Sequence, residues 1–68
     1  MIDTNKLKGA IVANGMTQED VAKEIGIAPL TFYRKMKRGV FGSDEVETMI
    51  KILHISDPAE IFFTDTVS

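Results

Sequence analysis

Apolar residues recur along this chain at intervals of three and four positions, which is the repeat of a helix that buries one face. No stretch shows the alternation of apolar and polar residues that a half-buried strand requires. Short segments containing Gly, Pro, Ser, Thr, Asp or Asn separate the apolar stripes, and these residues begin and end helices. The pattern predicts an all-α chain of five short helices.

The first predicted helix runs from about Thr4 to Asn14. Leu7 and Ile11 lie four residues apart, so they share one face of the helix and are predicted to be buried. Asn14-Gly15 favours a left-handed end, because asparagine and glycine tolerate that backbone conformation.

The clearest helix start in the chain lies at Thr17. Its hydroxyl can accept a hydrogen bond from the backbone N–H of Asp20 while the Asp20 carboxylate reaches back, which is an aspartate version of the capping box. This second helix ends at Gly26, so it is about nine residues long. Its apolar stripe comprises Val21, Ala22 and Ile25.

A third helix is predicted to begin at Pro29, whose fixed φ and missing N–H suit the first helical position. Phe32 and Met36 define its inward face, and Gly39 ends it. The residues predicted to point mostly outward are Leu30, Tyr33, Arg34, Lys37 and Arg38. For Tyr33 the alternative is a partly buried place in the core.

Ser43 is predicted to cap a fourth helix, which has an acidic first turn and ends near His54. Asp44 and Glu45 supply the acidic turn, where the helix dipole favours negative charge. The apolar positions of this helix are Val46, Met49, Ile50 and Leu53.

A further start signal lies at Asp57, with Pro58 at the first helical position and Glu60 at the third. It opens a short helix and a hydrophobic tail over residues 57–68. Three apolar residues in a row cannot all face inward from one turn, so at least one is expected at the surface. The apolar residues of the tail are Ile61, Phe62, Phe63 and Val67.

The length of 68 residues predicts a single domain over residues 1–68. A chain this short buries only about 60% of its unfolded surface, which leaves no residues for a second core. The absence of Cys excludes disulfides and thiolate metal sites. With one His and no plausible pairing of nucleophile and base, we expect neither a metal, nor a cofactor, nor an enzyme. The longest apolar run, residues 10–13, is too short for a membrane span or a signal peptide, so we expect a cytoplasmic protein.

The net charge of −2 conceals a strong segregation along the chain. Residues 1–22 carry −1 and residues 40–68 carry −5, whereas residues 23–39 hold five cations and one anion. Four of the eight cations lie between Arg34 and Arg38, at the end of the third predicted helix. Such a local basic cluster is typical of proteins that bind nucleic acid. The alternative is a solvated helix end that the dipole stabilises.

The second and third predicted helices have the spacing of a helix-turn-helix over about residues 17–38. Ala22 is small where the two helices must cross closely, and Gly26 permits the backbone conformation of the turn. Ile27 is placed to insert between the two helices and fix their angle. A structural hairpin without a DNA role is the alternative.

Residues 17–27, followed by Thr31-Phe32 and the basic run to Gly39, resemble the lambda-repressor-like, Cro and XRE family of helix-turn-helix proteins. The resemblance implies a compact five-helix domain, usually dimeric, that binds operator DNA. It implies that Gln18, with Thr17 beside it, contacts phosphate or braces a base-reading residue. Arg34 becomes the strongest candidate for reading a base, because its guanidinium can bind guanine through two hydrogen bonds.

The remaining positions of the implied DNA interface lie on the third helix. Thr31, Lys37 and Arg38 match positions that face the DNA backbone. Ala28 stands where the family usually has a Ser or Thr cap, and Pro29 and Leu30 stand where polar base readers are common. The full predicted set is Thr17, Gln18, Ala28, Pro29, Leu30, Thr31, Tyr33, Arg34, Lys37 and Arg38.

These observations predict a phage-type or prophage-type transcription regulator, such as a repressor, that binds operator DNA. A two-fold homodimer through Ile61, Phe62 and Phe63 would place two recognition helices about 34 Å apart on a palindromic operator. A second interpretation is a protein-binding module of the same fold that modulates a partner repressor through its apolar tail. A third is the antitoxin of a toxin–antitoxin pair.

Overall fold

Five helices form where the sequence places its start and stop signals. The structure, a computed structural model, describes residues 2–63. Its helices are α1 (Thr4–Ala13), α2 (Gln18–Ile25), α3 (Pro29–Arg38), α4 (Ser43–Ile52) and α5 (Pro58–Phe62). Within this described range there is no strand, and the prediction of an all-α chain of five helices is confirmed.

The two ends of α2 match the local signals in the sequence. The Asp20 backbone N–H donates to Thr17 Oγ1 at 3.1 Å, and the Thr17 N–H donates to Asp20 Oδ2 at 2.9 Å, so the capping box is complete. Gly26 ends the helix with φ at +93°, in the left-handed region that residues with a Cβ rarely adopt. The capping box thus fixes the start of α2, and Gly26 sets the turn that leads into α3.

Two predicted caps are wrong. Gly42, not Ser43, is the N-cap of α4, because the Glu45 carboxylate accepts the Gly42 N–H at 2.7 Å and leaves Ser43 as the first helical residue. The Asp57 side chain makes no capping hydrogen bond to α5. Glu60 does not turn back to Asp57 either, because its carboxylate accepts from Lys6 Nζ at 3.0 Å.

The core lies between the apolar stripes that the sequence predicts. Phe32 is fully buried, and its ring lies 5.3 Å from the ring of Phe41, centroid to centroid. Nine residues of the described range form the buried cluster: Leu7, Ile11, Val21, Ala22, Phe32, Met36, Met49, Leu53 and Phe62. The predicted inward faces of the first and third helices are confirmed.

α2 is the central helix, because it packs against α1, α3 and α4. Ala22 is fully buried, and Ile27 in the turn is partly buried against the core, as the helix-turn-helix spacing predicts. The Cα radius of gyration is 11.1 Å, close to the value of about 11 Å for a folded chain of this length. This packing holds α3 by its inner side and leaves its other side at the surface.

Candidate nucleic-acid interface

The side of α3 opposite the core forms an exposed surface that we call the outer face. Leu30 is 58% exposed and Tyr33 is 44% exposed, whereas Phe32 between them is fully buried. The cations of this surface are also exposed. The outer face comprises Leu30, Tyr33, Arg34, Lys37 and Arg38, as the helical spacing predicts.

The outer face is apolar at its start and basic at its end. Leu30 lies in the first turn of α3, and Lys37 and Arg38 lie in the last turn, where the helix dipole favours cations. The side chains of Arg34, Lys37 and Arg38 make no ion pair with any other residue between 2 and 63. Their charges are therefore available to an external anion.

Lys35 belongs to a different surface from its basic neighbours. Its Nζ donates to Glu45 Oε2, and both side chains are partly buried between α3 and α4. Burial raises the pKa of Glu45, but the hydrogen bonds from Lys35 and from the Gly42 N–H outweigh it, so the pKa lies below its ordinary value. Glu45 thus joins the start of α4 to α3 as an anion.

We expect Glu45→Gln to destabilise the domain by about 1 kcal/mol at neutral pH and to weaken its dependence on pH. A carboxyl whose pKa is lowered by folding stabilises the native state above its unfolded pKa, and this contribution disappears as the pH falls through the folded pKa. The variant keeps an oxygen for the Gly42 N–H and loses only the charge. Urea unfolding between about pH 6 and about pH 3 measures the effect.

Glu47→Gln is the matched control for this prediction, because Glu47 is exposed on the same helix. Its unfolding should follow that of the parent chain over the whole pH range. If Glu45→Gln and the parent lose stability in parallel on acidification, the ion pair does not contribute as argued.

The start of α3 and the first part of α2 share a cleft of about 400 Å³. Glu19 and Asp20 line it beside Pro29. Backbone and side-chain hydrogen bonds from Thr17 hold the pKa of Asp20 below its ordinary value, so this carboxylate is charged. Because carboxylates repel anions, the part of α3 that can attract an external anion is its opposite, basic end.

The other predicted site residues lie at the start of α2 and around the first turn of α3. The Thr17 hydroxyl oxygen accepts the capping hydrogen bond from the Asp20 N–H, and Gln18 is partly buried. Ala28 is the N-cap of α3 and offers no side-chain hydrogen bond. Pro29 is exposed and Thr31 is partly buried. Among the residues predicted to contact DNA, the first turn of α3 therefore has fewer exposed polar side chains than the later turns of the helix.

The tail residues have three different environments. Phe62 lies in the core at 4% exposure, so its side chain offers little surface to a second subunit, which corrects the prediction that it is a main part of a dimer surface. Ile61 is partly buried and Phe63 is 57% exposed. Residues 64–68 of the predicted tail, Val67 included, lie outside the described residues.

An apolar groove of about 480 Å³ lies beside α5. Val40, which follows the C-cap Gly39 of α3, is exposed and lines this groove. The floor and walls are mainly Phe41, Val46, Ile50, Phe62 and Phe63. We call this surface the α5 groove.

The rest of the described chain has few groups suited to chemistry. No group of three or more His, Asp or Glu side chains within residues 2–63 is arranged to hold a metal ion. In the same range no polar or charged residue is buried. Nor does any helix described here have the length and apolar character needed to cross a bilayer.

Comparison with known proteins gives no relative: no family model, curated protein or solved structure matches this chain. The role of the outer face is therefore inferred from its own geometry and chemistry.

Proposed function

We propose that this chain binds double-stranded DNA through the outer face of α3 and acts as a small transcription regulator that occupies an operator. One observation carries the proposal: α3 is anchored by Phe32 and Met36, while Arg34, Lys37 and Arg38 lie on its exposed side outside any ion pair with residues 2–63. A helix about 10–12 Å wide fits a major groove about 12 Å wide.

The charge distribution supports an approach with α3 first. The body of the protein is acidic, and the segment that contains α3 is the basic part of the chain. A negatively charged duplex attracts that segment and repels the acidic start of α4, which orients the encounter. Lys37 and Arg38 in the last turn are the proposed phosphate contacts, and Arg34 is the proposed base reader.

A homodimer completes the proposal. A two-fold dimer carries two copies of α3, and duplex DNA offers matching half-sites about 34 Å apart. The α5 groove is the proposed contact surface, because it is apolar and the exposed Val40 lines it. Phe63 is the exposed tail residue that lines this groove, whereas Ile61 lies outside it.

A duplex selected from random sequences tests the proposal, with binding followed by fluorescence anisotropy as salt is raised. Two phosphate contacts in each protomer predict a slope of log K against log salt of about −1.8 for one protomer and about −3.6 for a dimer. Lys37→Ala should weaken binding to all duplexes similarly and reduce the slope by about 0.9 for each protomer.

Lys8→Ala is the control for this experiment, because it removes one exposed cation from α1, outside the motif. It should leave the slope nearly unchanged. Absence of binding to any duplex at low salt overturns the proposal, as does equal weakening by Lys8→Ala and Lys37→Ala. In that case the α5 groove favours the second candidate function, which is binding of a partner protein such as a larger repressor.

A further inference from the structure

The first turn of α3 is unusually poor in hydrogen-bond donors for a surface that faces DNA. Pro29 has no N–H, Ala28 has no polar side chain, and Thr31 is partly buried. Leu30 is the large exposed side chain of this turn. In a complex with DNA, a base edge next to this turn would therefore contact mainly apolar side chains.

Leu30 and Tyr33 form one apolar patch. Residues three apart are neighbours on a helix surface, and both side chains are exposed. Neither side chain is among the buried core residues or the partly buried hydrophobic residues packed against them, so burial in the described core does not account for an apolar residue at either position. The patch is a property of the outer face itself.

The major groove offers one apolar group, the 5-methyl group of thymine. A hydrocarbon side chain placed against a base-edge donor or acceptor leaves that group without a hydrogen bond, which is unfavourable. Against a methyl group the same side chain removes apolar surface from water. Burial of one methyl group corresponds to about fourfold in affinity.

We propose that Leu30, with Tyr33 beside it, reads the 5-methyl group of a thymine in the major groove. This inference rests on the proposed function and specifies its substrate. Leu30 and Arg34 are four residues apart, about 6 Å along the helix, whereas base pairs are stacked 3.4 Å apart. The preferred duplex therefore contains a thymine and a guanine within about two base pairs of each other in each half-site.

Replacement of single thymines by deoxyuridine tests the inference, because it removes only the methyl group. In a duplex selected from random sequences, one such replacement in each half-site should weaken binding of the parent chain by about fourfold for each half-site, or about 15-fold for a dimer on two half-sites. Leu30→Ala should bind the thymine duplex more weakly and should bind the thymine and deoxyuridine duplexes equally. Competition anisotropy at fixed salt gives the ratios.

Val12→Ala is the matched control, because Val12 is an exposed apolar residue on α1. It should keep the full response to deoxyuridine. Circular dichroism and urea unfolding of Leu30→Ala, compared with the parent, check that the variant is folded.

The possible failures are distinguishable. If DNA binds and no deoxyuridine replacement weakens it, the inference is overturned and the proposed function stands. If Leu30→Ala loses as much affinity on replacement as the parent does, another residue reads the methyl group and the assignment to Leu30 is wrong. If no duplex binds at low salt, the proposed function itself fails.

Discussion

Phe32→Ala should lower the free energy of unfolding of the domain by a large part of its total. Phe32 is the largest of the fully buried side chains in residues 2–63, and it packs against Phe41. Removal of a buried phenylalanine side chain costs about 3–5 kcal/mol, through lost burial and the cavity that remains. A chain of this length has a total stability of roughly 3–10 kcal/mol. The expected loss is therefore a large part of the total.

Urea unfolding followed by circular dichroism measures this effect. Tyr33→Ala is the matched control, because it removes the neighbouring aromatic ring from the surface instead of the core, and it should cost less than about 1 kcal/mol. A Phe32→Ala chain that unfolds at the same urea concentration as the parent would show that α3 is not anchored through this ring.

The helix bounds around the motif were predictable because their signals are local. The capping box at Thr17 and the left-handed glycines at Gly26 and Gly39 are fixed by residues within four positions along the chain. Pro29 likewise sets the start of α3 by its own geometry. The burial of Phe32 followed from its spacing to Met36, and the same spacing predicted the outer face.

The contacts between helices were not predictable, because they join residues that are distant in sequence. Asn14 was interpreted only as a helix end, yet its side-chain amide donates to the carbonyl of Leu53 at 2.9 Å. Glu60 was interpreted only as part of the start signal of the last helix, but it meets Lys6 once α1 and α5 lie side by side. The charge or capping propensity of a side chain does not show which hydrogen-bonding partner lies nearest to it in the folded chain.

The candidate site shows the same division between local and distant signals. The basic run predicted which segment carries the charge, but only the packing of α4 separates Lys35, bound to Glu45, from the cations of the outer face. Three consecutive apolar residues could not indicate that Phe62 is the one in the core. That choice depends on the direction in which α5 leaves the loop after α4.

Arg34→Ala should weaken binding to the selected duplex by about 5-fold to 150-fold for each bound protomer and should remove its preference for the guanine that Arg34 is proposed to read. A bidentate guanidinium contact contributes about 1–3 kcal/mol of discrimination, whereas a phosphate contact contributes equally on every sequence. Competition between the selected duplex and duplexes altered at each guanine measures the preference.

Arg34→Lys separates the geometry of the side chain from its charge. Lysine keeps the cation but lacks the planar pair of donors that matches the guanine edge. We therefore expect Arg34→Lys to retain the salt dependence of the parent and to lose most of the guanine preference. Lys37→Ala should reduce the salt dependence and keep the guanine preference. If Arg34→Ala weakens every duplex equally, Arg34 is a phosphate contact, and sequence recognition must come from the apolar patch or from the shape of the DNA.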